Sequence, residues 1–156
     1  MKVTIVMGSI SDKDKMKPAA EYLKKMGVSY TQHVASAHRT PDLVEEITND
    51  SETTVFIAGA GMAAALPGCI AALTTKPVIG VPLSSKYGLI DSMLSILQMP
   101  PGIPVLTVGL DAAKNAAIAA CEILAVYDNK LAEKLQKERN EAAEKVRNDN
   151  EQISTE

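Results

Sequence analysis

Short, nearly continuous apolar runs alternate along this chain with stretches whose apolar positions recur at helical spacing. Val3, Ile5, Val6 and Met7 enclose a single threonine, a run that predicts a strand buried on both faces. Met16, Ala19, Ala20 and Leu23 then share one side of a helix predicted over 13–26, with Gly27 to stop it. Residues 28–34 read as a second strand. Thr40 as N-cap, Pro41 at the first helical position and Asp42 in the first turn open a helix running through Ile47. A third strand is predicted over 53–58, a glycine turn at 59–61, and a helix of small residues over 63–73. Residues 77–81 form strand four, and the loop 82–89 leads into an amphipathic helix at 90–98. Strand five is expected over 103–108, with Asp111 capping an apolar helix over 112–127.

Strict strand–helix alternation with short loops predicts an α/β fold built on a parallel, doubly wound sheet with right-handed crossovers. Five strands point to the flavodoxin-like order 2-1-3-4-5, three layers deep, with helices on both faces. The expected organisation is a catalytic domain over 1–128, a helical arm over 129–147 and a tail without structure over 148–156. The 112–127 helix is apolar almost all round, so more than one of its faces needs covering. The arm carries Glu133/Lys137 and Glu141/Lys145 at i,i+4 spacing and a narrow stripe of Leu131, Leu135 and Val146. Such an arm is expected to lie across a neighbouring subunit.

Composition narrows the function. The chain has 156 residues with a formal net charge of −3, no Trp and one Phe, so neither a basic nucleic-acid face nor a base-stacking platform is expected. The apolar start at 3–7 is too short for a secretory leader, and no apolar run nears the roughly 18 residues of a membrane span. Cys69 and Cys121 read as buried, reduced thiols, and with two histidines they offer no zinc spacing. A cytoplasmic protein without metal is expected.

Two segments carry candidate chemistry, each closing a strand and opening a helix. Gly8-Ser9-Ile10-Ser11-Asp12 follows strand one, beside the reversal of strand order. There Gly8 permits close backbone approach, Ser9 and Ser11 can hold a phosphate, and Asp12 can accept from ribose hydroxyls. The same residues also suit a plain helix cap. After strand two, Ser36 and Arg39 can bind phosphate, Arg39 as a fork, and His38 can serve as acid and base near neutral pH. His33, inside strand two, reads as structural. Gly59-Ala60-Gly61-Met62-Ala63-Ala64 matches the dinucleotide pattern G-x-G-x-x-A, but it follows strand three and no acid lies over 79–83 for a ribose. It reads better as a close-packed turn with free backbone N–H groups facing a small dry pocket of Ala63, Ala64, Ala65 and Leu66.

In combination, these residues resemble the carboxyaminoimidazole ribonucleotide mutases and aminoimidazole ribonucleotide carboxylases of purine biosynthesis. The resemblance rests on MGSISD at 7–12, ASAHRTPD at 35–42, IAGAG at 57–61, ALPG at 65–68, KPVIGVP at 76–82 and QMPPGIPV at 98–105. It implies a flavodoxin-like domain assembled as an octamer with exchanged C-terminal helices. It also implies Ser9, Asp12 and Arg39 as substrate contacts, with Ser11, Ser36, Gly59, Ala60, Gly61 and Met62 completing the phosphate and ribose site. His38 becomes the general acid/base. The implied mutase reaction moves a carboxylate from the exocyclic nitrogen to C4 of the aminoimidazole nucleotide, through released carbon dioxide, without metal or organic cofactor. Two features depart from the mutase pattern: Ala65 stands where mutases usually carry histidine before Leu-Pro-Gly, and the loop 84–90 is one residue short. Both leave open a carboxylase using carbon dioxide directly. A non-catalytic flavin or nucleotide module is the more distant alternative, disfavoured because the loops lack aromatic stacking groups.

Overall fold

Five parallel strands form one sheet in the order β2-β1-β3-β4-β5 in the computed structural model, which describes residues 1–86, 88 and 90–154. Tyr87 and Leu89, in the loop expected over 82–89, and Thr155 and Glu156, at the end of the expected tail, lie outside the described residues. The strands are β1 (Lys2–Met7), β2 (Ser29–Val34), β3 (Thr53–Gly61), β4 (Val78–Leu83) and β5 (Leu106–Thr107). Between them run α1 (Lys13–Met26), α2 (Pro41–Thr48), α3 (Leu66–Leu73) and α4 (Ile90–Leu97), followed by α5 (Ala113–Ala125) and α6 (Asn129–Ser154).

The period-two geometry of β3 distributes its side chains between two layers. Phe56, Ala58 and Ala60 pack in one cluster with Val44 and Ile47 of α2, Ile70 and Ala71 of α3, and Ile96 of α4. Gly59 faces the opposite side, where α1 approaches so closely that a Cβ there would lie 2.3 Å from Met16 Sδ. Helices therefore cover both faces, as the alternation predicts. Phe56, Ile70 and Ile96 are fully buried, each contributing about 1.5–3 kcal/mol over exposure.

Several element ends move. β3 runs on through the expected glycine turn, because Gly59, Ala60 and Gly61 pair with Val81, Pro82 and Leu83 of a longer β4. The turn falls at Met62–Ala65 instead, and α3 begins only at Leu66. β5 shrinks to two residues paired with Ile79 and Gly80. Pro104, which has no N–H for a ladder, stands in the part that drops out. Cys69 is exposed on α3, against the expected burial, while Cys121 is buried.

The chain divides into two compact units, Met1–Ala120 and Cys121–Glu156. In the second, Asp128 starts α6 by accepting from the Leu131 N–H at 3.1 Å. Leu131 and Leu135 are buried, and Arg139 pairs with Glu122. Cys121 is pushed up to about 11 by burial and by the carboxylates of Glu138 and Glu122. Lys137 pairs with Glu141 at 3.8 Å. The helix is continuous through Ser154, so most of the stretch expected to lack structure is helical. Elongating an existing helix needs only one more bond per residue, which Asn148, Asp149 and Asn150 do not interrupt.

Candidate active site

Two loops meet at the C-terminal end of the sheet, where β1 lies between β2 and β3 and the winding direction reverses. The first follows β1. Ser9 has extended backbone (φ −154°, ψ 154°) and caps a 3-10 turn, Ile10–Asp12. Its Oγ accepts from the Ser11 N–H at 3.3 Å and the Ser11 hydroxyl at 3.0 Å. The second loop, 35–40, follows β2 and folds onto itself. The Thr40 N–H donates to the Ser36 carbonyl at 2.9 Å, and the Ser36 N–H donates to Thr40 Oγ1 at 2.9 Å. Thr40 thus holds the N-cap position of α2 without the expected side-chain capping bond. Its hydroxyl braces the loop that presents His38 and Arg39.

Arg39 joins the two loops. Its Nη2 donates to the Gly8 carbonyl at 2.9 Å and its Nε to Ser36 Oγ at 3.2 Å. Both His38 and Arg39 are exposed. Burial raises the Asp12 carboxyl above its ordinary range, partly opposed by a bond from the Ser9 backbone and by the charges of Lys15 and Arg39. A half-buried acid between two cations, beside two serine hydroxyls, is suited to the anionic and hydroxylated parts of a sugar phosphate. The loop after β1 is further tied to β3 by the Gly8 N–H, which donates to the Gly59 carbonyl at 3.3 Å.

At the end of β3 the expectation needs correction. Gly59, Ala60 and Gly61 adjoin the two loops, but they are strand residues laddered to β4, so they are not a turn of free N–H groups. Met62 follows with φ 56° and Ala64 with φ 40°. Left-handed backbone is disfavoured wherever there is a Cβ, and such strain concentrates at functional sites. Met62 and Ala63 are exposed, Ala65 is half-buried, and Ala64 and Leu66 are buried, so the small apolar wall is only partly enclosed. Ala65 occupies the N-cap position of α3 with no side-chain cap bond. A concavity of about 860 Å³ lies elsewhere, along α6 by Glu133, Lys137 and Glu144. Its walls come from one helix, which makes it a solvated groove.

Lys15, Ser84 and Asp111 come together at the same end of the sheet, and the sequence pattern does not single them out. Asp111 is expected to cap the following helix, but its carboxylate accepts from the Ser84 N–H and hydroxyl, just beyond the end of β4. Burial pushes the Asp111 carboxyl up, but the hydroxyl and N–H of Ser84, with Lys15, outweigh it and hold the group below its ordinary range. A lysine in the first turn of α1 opposes the helix dipole, but Lys13 does so equally, so the sequence does not distinguish Lys15.

Comparison with known proteins bears on this arrangement. The family model described as AIR carboxylase matches residues 2–145. The N5-carboxyaminoimidazole ribonucleotide mutase of Methanocaldococcus jannaschii is 54% identical over 144 residues, covering 92% of each chain. The mutase of the same name from Bacillus subtilis is 46% identical over 157 residues, covering 97% of each. The crystal structure of Treponema denticola PurE superposes with a TM-score of 0.86 at 29% identity, covering 97% of both chains.

Proposed function

The chain belongs to the AIR carboxylase family, and we infer from this and from the site that it is a carboxyaminoimidazole ribonucleotide mutase of purine biosynthesis. It moves the carboxylate from the exocyclic nitrogen to C4 of the imidazole. The observation that supports the site assignment is the Arg39 guanidinium bridging Gly8 and Ser36, which ties the loop carrying His38 to the loop carrying Ser9 and Asp12.

In our reading His38 protonates the exocyclic nitrogen as its bond to the carboxylate breaks, leaving aminoimidazole ribonucleotide and carbon dioxide. The electron-rich C4 attacks the retained gas, and the proton lost from C4 returns to His38. One proton moves in each direction, and the carboxyl carbon exchanges its bond to the exocyclic nitrogen for a bond to C4. Ser9, Ser11, Ser36 and Arg39 bind phosphate, and Asp12 binds ribose. Gly59, Ala60 and Gly61 supply the backbone edge beside them, and Met62 an apolar rim. The apolar wall around Ala64 and Leu66, only partly enclosed in a single chain, is where we place the released carbon dioxide, held close enough to C4 to supply effective concentration.

The working enzyme is a homo-oligomer, which we read as an octamer in the cytoplasm. Ile90, Leu94 and Leu97 recur on one side of α4 and remain 65%, 48% and 56% exposed in a single chain. Such a stripe supports burial against another copy. The α6 arm is the second element we assign to that contact. Among the described residues no helix is long and apolar enough to cross a membrane.

Ala65 and the short loop at 84–90 favour one competing reading, direct carboxylation. The assay that separates them supplies N-carboxylated aminoimidazole ribonucleotide, or aminoimidazole ribonucleotide with low and high bicarbonate. Efficient turnover of the first, with the second rising only at high bicarbonate, is expected. Rapid conversion of the uncarboxylated nucleotide alone reverses the assignment.

A further inference from the structure

We propose that Lys15, Ser84 and Asp111 form a positioning clamp that fixes the loop leaving β4 against the loop leaving β1, preorganising the nucleotide site. This rests on the site assignment above and deepens it. The three residues come from the first turn of α1, the end of β4 and the turn between β5 and α5.

Each polar function of Ser84 is engaged. Its N–H donates to Asp111 Oδ1 at 3.0 Å and its hydroxyl to Asp111 Oδ2 at 2.6 Å. The same Oγ accepts from Lys15 Nζ at 2.6 Å, and the Ser84 carbonyl accepts a second bond from that ammonium. Lys15 Nζ also stands 3.7 Å from Asp111 Oδ1. Donors and acceptors match throughout, so removing Asp111 or Lys15 takes direct partners from Ser84 and loosens the link between the two loops. Asp111 takes φ 54° to reach this position and is held there by its own N–H, which donates to the Pro82 carbonyl at 2.8 Å. A strained backbone secured by several bonds marks a place where geometry is being enforced.

The clamp reaches over the end of β3. Lys15 lies three positions after Asp12, and its charge acts on the Asp12 carboxyl. Beneath it, Gly59 has no Cβ, which lets Met16 and the start of α1 press onto the strand. Leu83 pairs with Gly61, so Ser84 leaves the sheet beside Met62. The β1 loop with Ser9, Ser11 and Asp12 is therefore held at a set separation from the β4 loop, with the end of β3 between them. A site whose walls are fixed in advance does not have to order them when the nucleotide binds.

The test is steady-state kinetics of the full-length enzyme on N-carboxylated aminoimidazole ribonucleotide, with thermal melting in parallel. Lys15→Met is expected to raise KM about ten-fold while kcat changes less than about three-fold. Asp111→Asn tolerates the left-handed backbone and keeps an acceptor for Ser84, so KM should rise about three-fold. Lys15→Arg, which retains charge and donors, should recover part of the loss. Unchanged KM in Lys15→Met, or loss of kcat and KM performance only in step with a lower Tm, overturns the proposal. His38→Asn in the same series separates the failures. If it is inactive while Lys15→Met behaves as wild type, the clamp is wrong. If it is fully active, the site assignment is wrong.

Discussion

The two ends of the sheet use charge in opposite ways. At the N-terminal end Lys2 donates to Asp50 at 2.6 Å and to Glu52 at 3.5 Å, while Lys76 donates to the Asp50 carbonyl at 2.6 Å. Thr4, Thr31 and Thr53 complete a hydroxyl chain across β2, β1 and β3. Polar groups there meet partners of opposite character, and no non-glycine residue among those named takes positive φ. At the C-terminal end, Met62, Ala64 and Asp111 are strained, His38 and Arg39 stand open to solvent, and burial raises the Asp12 carboxyl. One end is arranged to keep its charges satisfied. The other pairs Lys15 with Asp111 but leaves His38 and Arg39 exposed beside strained backbone, at the end where a doubly wound sheet places its ligand.

This contrast predicts that changes at the C-terminal end alter turnover and spare stability, with the reverse at the other end. The largest effect is expected at His38. Replacement by Asn should lower kcat about 10²–10⁴-fold, the range for loss of a positioned acid/base, with Tm nearly unchanged because the side chain is exposed. Near-normal turnover would remove the imidazole from the mechanism.

An intermediate effect tests the middle of the sheet, away from both ends. A Cβ at Gly80 would lie 2.4 Å from Ile96 Cγ2 and 2.9 Å from Val105 Cγ1. Gly80→Ala should therefore cost about 1–3 kcal/mol by overpacking, read as a lower denaturation midpoint with an unchanged slope. A variant as stable as wild type would mean that α4 can shift outward freely.

The smallest effect belongs to the N-terminal end. Bonds from Lys2, with help from the Glu52 N–H and Thr53, hold the Asp50 carboxyl down at about 2 against an ordinary 3.8. A depressed carboxyl stabilises the fold above its unfolded value, and that contribution fades as pH falls from near 4 through about 2. Asp50→Asn should flatten the acid limb of a Tm-versus-pH curve in that window and leave turnover at neutral pH intact. An identical acid limb would show that Asp50 gains nothing from Lys2, and a loss of turnover would blur the division between the two ends.

Much of this was legible in order along the chain, because strand–helix alternation and caps are local properties. Helix α1 falls at the residues its apolar spacing and Gly27 indicate, with Gly27 at φ 77°. The motifs around Ser9 and His38 lie where the expected strand order places them. Boundaries that depend on a neighbouring strand were not legible. Gly59, Ala60 and Gly61 have little intrinsic preference for β structure and become strand only by pairing with β4. Asp111 looks like a cap in sequence, since nothing local reveals that Ser84, far away along the chain, has claimed its carboxylate.

By itself, then, the sequence determined the layers, the strand order and the two loops to which we assign His38 and the proposed nucleotide contacts. These follow from periodicity and turn chemistry acting over a few residues. Only the tertiary structure decided that Arg39 bridges Gly8 and Ser36, that Thr40 braces its loop instead of capping its helix, and that Lys15 meets Ser84 and Asp111. Each of those contacts joins groups that the chain separates and the sheet brings together, and a hydrogen bond across such a gap has no local pattern to announce it.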